Sequence, residues 1–202
     1  MSNLEYHIPR TKQGQQTFDH IVKVSKDLFA ERGYHSTSVN TIIKEAKIAA
    51  GTFYIYFKDK FSLYKYILHE YHKKIRGYIR EQTKDYTDRY TQERQGIKAF
   101  IQFALDDNHA YNIIWESMFV DPNLFVEYYE HFSLRYQHSL EESAENGEIR
   151  NVNFETLSYI LMGISNFVGL QVLFKKELAP EQLEKILDDV MDILENGMFT
   201  SK

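Results

Sequence analysis

An all-α fold follows from three observations on this 202-residue chain. Apolar residues recur at intervals of three and four along nearly its whole length, the period of a helix with one buried face. Only three prolines occur, Pro9, Pro122 and Pro180, so few helix interiors are interrupted. No stretch alternates apolar and polar residues as a half-buried strand would. With 43% hydrophobic and 15% aromatic residues, the chain can bury a substantial core. About nine helices are expected, arranged as a three-helix N-terminal head (residues 1–58) and a C-terminal helical bundle (residues 59–202).

In the first helix Phe18, Ile21, Val22, Ser25, Leu28 and Phe29 share a face. It starts between Thr11 and Gln15, and Gly33 stops it as a left-handed C′ residue. Val39, Ile42, Ile43 and Ala46 repeat the spacing in a short second helix, with Thr37 or Ser38 as N-cap. The third covers about residues 50–56. Its neighbour Ile48, with Phe53 and Phe57, is expected in the core, leaving Thr52, Tyr54 and Tyr56 at or near the surface. A fourth helix begins near Asp59, a good cap, and runs through Leu63, Tyr66, Ile67, Ile75 and Ile79 toward Asp85. Its length marks it as the connection between head and bundle.

Beyond a polar bend at residues 86–92, helices are expected at about 92–106, 110–120 and 123–145. Asp121-Pro122 separates the last two, and Asn146-Gly147 ends the series. The most apolar helix, about 154–175, carries Ser158, Gly163, Ser165 and Gly169 among its large residues. Pro180 sits in the first turn of a final helix, where its missing N–H is harmless. That helix carries Leu183, Ile186, Leu187, Val190, Met191 and Leu194 close to a heptad seam.

The absence of cysteine removes disulfides and thiolate chemistry and fits a reducing compartment. Residues 1–9 lack the charged start and apolar run of a secretory signal. The longest apolar stretch, near residues 159–174, is broken by Asn166 and Gln171 and reads as too short and polar to span a membrane. A cytoplasmic protein without a membrane partner is expected. No nucleophile elbow, phosphate loop or zinc motif is present, so no enzyme and no catalytic residue is predicted. His69 and His72 stand three apart but lack a third ligand, and Glu127, Glu130 and His131 lack a matching Glu-x-x-His on a partner helix. Neither group is read as a metal site, and no cofactor is expected.

The net charge of −5 argues mildly against nucleic acid, but its distribution reverses that. In residues 1–60 nine cations (Arg10, Lys12, Lys23, Lys26, Arg32, Lys44, Lys47, Lys58, Lys60) face six acids (Glu5, Asp19, Asp27, Glu31, Glu45, Asp59), giving +3. The remainder carries −8. Screening over roughly 8 Å makes phosphate attraction local, so a basic head on an acidic body is compatible with DNA binding. Residues 37–60 sharpen this, because they place two short helical patterns around a very brief connection. Such a pair holds one helix at the angle that enters a major groove.

The run Gly33-Tyr34-His35-Ser36-Thr37-Ser38-Val39, then Ile42, Ala46 and Gly51-Thr52-Phe53-Tyr54-Ile55-Tyr56-Phe57-Lys58-Asp59-Lys60 with Leu63, resembles the DNA-binding head of TetR-family transcriptional regulators. The resemblance covers roughly residues 11–65. It implies a homodimer that binds double-stranded DNA at a palindromic operator and is released when a small-molecule effector occupies the body. It further implies phosphate contacts from Thr37 and Ser38, a base-edge contact from Asn40, and a recognition helix opened by Ala50, Gly51 and Thr52. Tyr54 and Tyr56 would meet the DNA backbone through their phenols, and Lys58 and Lys60 would meet phosphate. Two departures stand out: the family usually has Gly where Lys47 stands and a capping Ser where Ala49 stands. Lys47 would add a cation near the DNA, whereas Ala49 cannot cap. With base readout thinned at Ala50, Asn40, Thr52 and DNA shape are expected to carry much of the specificity.

In the body, Phe100, Phe103, Tyr111, Trp115, Phe119, Tyr128, Tyr129 and Phe132 lie on the three helices that would line a family pocket. Phe103, Tyr111, Trp115, Phe119, Tyr128 and Phe132, with Phe167, are the expected lining for a mostly apolar ligand, with Asn112, His109 or tyrosine phenols as polar anchors. Leu161, Gly163, Phe167 and Gly169, with Leu187, Val190 and Leu194, are expected to form an isologous dimer seam.

Overall fold

The computed structural model describes residues 6–175 and 179–199; residues 1–5 of the N-terminus read above lie outside them. Nine helices occur among the described residues: α1 (Lys12–Arg32), α2 (Val39–Glu45), α3 (Ala50–Tyr56), α4 (Lys60–Thr83), α5 (Arg89–Asp106), α6 (Asn108–Val120), α7 (Pro122–Glu145), α8 (Phe154–Phe174) and α9 (Pro180–Asn196). The expected all-α order holds, with a single antiparallel β-bridge, Tyr6 to Phe57, as an addition. α5 starts earlier than expected because the Asp88 carboxylate accepts the Thr91 N–H at 2.8 Å, an N-cap that the polar composition of the bend obscured.

Two compact units divide the chain: Met1–Lys73 with Asp107–Tyr129, and Lys74–Asp106 with Glu130–Lys202. In the first, the α1 stripe Phe18, Ile21, Val22, Leu28 and Phe29 is buried, as predicted from its spacing. Thr11 caps α1 by accepting the Gly14 N–H at 3.1 Å. Phe18 packs on Phe57 at 5.0 Å between ring centroids and on Tyr66 at 4.8 Å. Asp59 and Ser62 cap α4 reciprocally: Ser62 N–H donates to the Asp59 carboxylate, and Asp59 N–H donates to Ser62 Oγ. Tyr64 is fully buried and donates its hydroxyl to the Ile113 carbonyl of α6 at 2.5 Å.

Gly33 ends α1 at φ 80 and ψ 160. This is not the left-handed helical conformation expected from the sequence but an extended region with positive φ that is essentially open to glycine alone. The backbone conformation requires glycine, and a Cβ there would also sit 2.8 Å from Glu116 Oε1 and press on that carboxylate.

In the second unit, Ile97 and Ile101 of α5, Val172 of α8, and Leu183, Leu187 and Met191 of α9 form the core. A charged cluster is buried beside it. Arg89 pairs with Glu93, donates to Ser139 Oγ at 3.0 Å, and lies over the Tyr136 ring; Tyr136 donates to the other Glu93 oxygen. Arg94 and Lys98 reach Glu184 of α9. By length and composition alone α8 is apolar enough to cross a membrane, where the sequence reading makes it too short and too polar. The helix nonetheless packs along α5 and buries Leu161 and Val172.

Breaking the buried pair should be costly, because it strands one charge away from water. Glu93→Leu is expected to destabilise the chain by about 3–5 kcal/mol in urea denaturation. Lys23→Ala, which removes a solvent-exposed pair with Asp27, should cost under about 0.5 kcal/mol.

Candidate nucleic-acid interface

α2 and α3 are joined by a turn whose hydrogen bonds explain its brevity. Ser38 caps α2, its Oγ accepting the Thr41 N–H at 3.0 Å. At the other end Lys47 N–H donates to the Lys44 carbonyl and Ile48 N–H to the Ile43 carbonyl, each at 3.2 Å. These two bonds are the Schellman closure, which needs a left-handed residue at its centre. That residue is Lys47, the one non-glycine residue with positive φ among those described, at 53°. A side chain in this conformation costs roughly 1–2 kcal/mol. α3 then begins at Ala49, which makes no side-chain cap.

The seven-residue α3 is held by tertiary packing rather than by its ends. Phe53 and Phe57 are fully buried, and Tyr56 joins them, its ring edge-on to Phe18. The opposite face is open: Ala50, Gly51, Tyr54 and Ile55 are exposed, followed by Lys58, with Thr52 half-buried beside them. Tyr54 is 57% and Ile55 61% exposed. Ser38, Asn40 and Lys47 are exposed on the preceding helix and turn.

Three of the expected DNA contacts are repositioned. Tyr56 follows Phe53 by three residues, so helix geometry turns it inward rather than to a phosphate. Thr37 is fully buried, and its hydroxyl donates to the Gly33 carbonyl at 2.9 Å, which leaves the cap to Ser38. Lys60 directs two of its N–H donors to the Tyr34 and Thr37 carbonyls, at 2.6 and 2.7 Å, over the Tyr34 ring. Burial holds its pKa below the ordinary lysine value, with Glu116 opposing. Lys60 thus positions the turn before α2. Ile55 was missed by the sequence reading, although it lies four residues from Gly51 and hence on the same face.

The family model of bacterial regulatory proteins of the TetR family matches residues 21–67, which span α2 and α3 together with the parts of α1 and α4 that hold them. The head of the chain, residues 21–67, is thus similar to the TetR-family DNA-binding region. The HTH-type transcriptional regulator YuxN of Bacillus subtilis is 25% identical over 197 residues, covering 88% of this chain. The match spans 62% of that relative's length. A TetR-family transcriptional regulator from Syntrophomonas wolfei superposes with a TM-score of 0.80 at 23% identity, over 94% of this chain and all of the other. The regulator FadR of Bacillus subtilis, solved in complex with stearoyl-CoA, superposes at 0.73 with 20% identity, over 90% and all of the two chains. Each of these three similar proteins is described as a transcriptional regulator.

The body positions expected from this TetR-family resemblance are also partly rearranged. Tyr111 and Tyr128 are buried, and Trp115, Phe103 and Phe132 half-buried, but Phe119 is 76% and Phe167 63% exposed, so neither lines an interior pocket. Leu161, Gly169 and Leu187 are buried inside the second unit, and Val190 and Leu194 pack against its core. These five residues are therefore taken up by the unit's own core rather than by the seam expected for them. The helical period places Ile160, Gly163, Phe167 and Phe174 on a different side of α8 from Leu161 and Val172.

Two substitutions check the cost of the turn. Ala49→Ser should add the missing cap and raise stability by about 1 kcal/mol in thermal melting. Lys47→Gly should relieve the left-handed conformation by about 1 kcal/mol while removing one cation from the open face.

Proposed function

We propose that the chain is a ligand-responsive transcriptional repressor that binds a palindromic operator as a homodimer in the cytoplasm and is released by a mostly apolar small molecule. One observation carries the reading: a helix-turn-helix matched by the TetR-family model presents Ala50, Gly51, Tyr54 and Ile55 on one open face. A helix of this kind reads base edges, and Ile55 suits a thymine methyl while Thr52 and Asn40 supply hydrogen bonds. Residues 1–58 then act as the DNA-binding head and residues 59–202 as the effector-binding and dimerisation body.

Ile160, Phe167 and Phe174 recur every seven residues on α8 and are all exposed, with Gly163 between the first two. A heptad row of large apolar groups is the pattern of a helix seam, and two copies make an isologous interface. Dimerisation sets the separation of the two heads at about one helical turn, ~34–36 Å. Effector binding favours a body conformation that moves α4 and alters this spacing, a population shift rather than a change in any base contact. For the effector, the fold shared with a FadR solved in complex with stearoyl-CoA supports an acyl thioester. Burial first, then Arg135 and Arg80, hold the Arg76 guanidinium below its ordinary pKa. A gathering of like charges in the body suits an anionic head on an apolar tail.

Fluorescence polarisation of a labelled duplex from the gene's own upstream region, titrated with rising salt, tests the reading. Affinity should fall steeply as counterions are released, and flat, weak binding would sink it. In light scattering, Phe167→Glu should yield a monomer with unchanged helical content and weakened operator binding. Stearoyl-CoA should release the duplex, and Arg135→Gln should weaken that release more than release by a neutral long-chain ester.

A further inference from the structure

The segment before α1 is tied to the last residue of α3 by a backbone hydrogen bond, and the first turn of α1 lies close to the same residue. His7 N–H donates to the Tyr56 carbonyl at 2.8 Å, within the bridge that pairs Tyr6 with Phe57. Seven residues on, a Cβ at Gly14 would lie 3.6 Å from the Tyr56 hydroxyl oxygen. The segment from His7 to Gly14, which is the loop before α1 together with that helix's first turn, therefore has both ends beside Tyr56, the last residue of α3. Its path is built by packing as well: the Tyr6 ring stands edge-on to Tyr66 at 5.0 Å. At Gly14 a Cβ would meet Pro9 Cβ and Thr11 Oγ1, each at 2.9 Å, so only glycine admits the loop this closely.

What the loop carries is cationic. Arg10 and Lys12 are exposed, and neither has an ion pair or side-chain hydrogen bond among the described residues. No carboxylate occurs from Tyr6 to Phe18. The contrast with other head lysines is informative: Lys23 pairs with Asp27, Lys26 with Glu70, and Lys60 serves two carbonyls. At roughly 3.3 Å per residue, Arg10 lies within about 10 Å of the His7 anchor and hence of the end of α3, comparable with the Debye length.

We propose that the segment from His7 to Gly14, the loop and the first turn of α1, is a second DNA-binding element, in which Arg10 and Lys12 grip backbone phosphates flanking the groove entered by α3. The inference rests on the DNA-binding reading above and adds contacts that lie outside helices α2 and α3. Because phosphates carry no sequence information, the loop supplies affinity and register rather than base choice.

The test compares wild type, Arg10→Gln/Lys12→Gln and Gly14→Ala on two labelled duplexes, the upstream region and a scrambled sequence of equal length, across a salt series. For the double variant the salt slope should fall by about 2, one for each phosphate contact, and affinity should drop equally on both duplexes. Gly14→Ala, which displaces the loop without removing a charge, should weaken binding in the same uniform way. Circular dichroism of each variant establishes that the head remains folded. Wild-type binding with an unchanged slope in the folded double variant overturns the loop proposal alone, whereas absent wild-type binding overturns the DNA-binding reading and the loop with it. Loss confined to the upstream duplex would also overturn it, since that result assigns the loop to base readout.

Discussion

The turn from Gly33 to Thr37 must stay folded for α2 to present α3, and its backbone polar groups are satisfied largely by side chains from beyond the turn. Lys60 donates to the Tyr34 and Thr37 carbonyls, and Glu116 of α6 accepts the Tyr34 N–H at 2.7 Å. The Thr37 hydroxyl closes back on the Gly33 carbonyl. Each of these bonds involves a partly or fully buried group, where an unmet partner costs about 1–3 kcal/mol. Three side chains, from α4, α6 and the turn itself, therefore make four hydrogen bonds that specify one short turn, and the positive φ at position 33 selects glycine there. The arrangement also accounts for the lysine at position 60: a flexible ammonium reaches two carbonyls three residues apart in the turn without needing a planar counter-ion.

That use of Lys60 divides the cations of the head by task. Lys23, Lys26 and Lys60 have partners within the fold, while Arg10, Lys12, Lys44 and Lys47 make no ion pair or side-chain hydrogen bond among the described residues. The head's excess positive charge is thus smaller in effect than a count suggests but better placed. The acidic body does not oppose it at this range, because screening confines each charge to its own neighbourhood.

Helix order and type were legible because the apolar spacing is regular and caps such as Ser38, Asp59 and Asn153 are written in the side chains. The recognition helix was legible to the residue, and its lack of a cap at Ala49 followed from composition alone. The outward face was read less well. Tyr56 was placed beside Tyr54 by residue type, whereas 3.6-residue periodicity sets it with Phe53 and exposes Ile55 instead. Thr37 and Lys60 were read as surface groups because a hydroxyl or an ammonium in sequence carries no sign of the carbonyls it will meet. The same limit applies to the N-terminal loop, since a backbone bridge from Tyr6 to Phe57 has no side-chain signature. On α8, a uniformly apolar helix leaves its buried and open sides undistinguished until α5 and α9 are in place.

α3 combines two local penalties, an absent cap of about 1 kcal/mol and a left-handed lysine of about 1–2 kcal/mol, in a helix too short to sustain itself. Burial of Phe53 and Phe57 supplies roughly 1.5–3 kcal/mol each, so tertiary packing outweighs both penalties. The rings that provide it belong to a cluster shared with α1 and α4: Phe57 stacks on Phe18 and lies 6.0 Å from Tyr66. A recognition helix stabilised this way takes its order from α4 rather than from its own sequence. Any displacement of α4 acts on α3 through the same ring contacts that hold it folded, and better local capping would weaken that dependence.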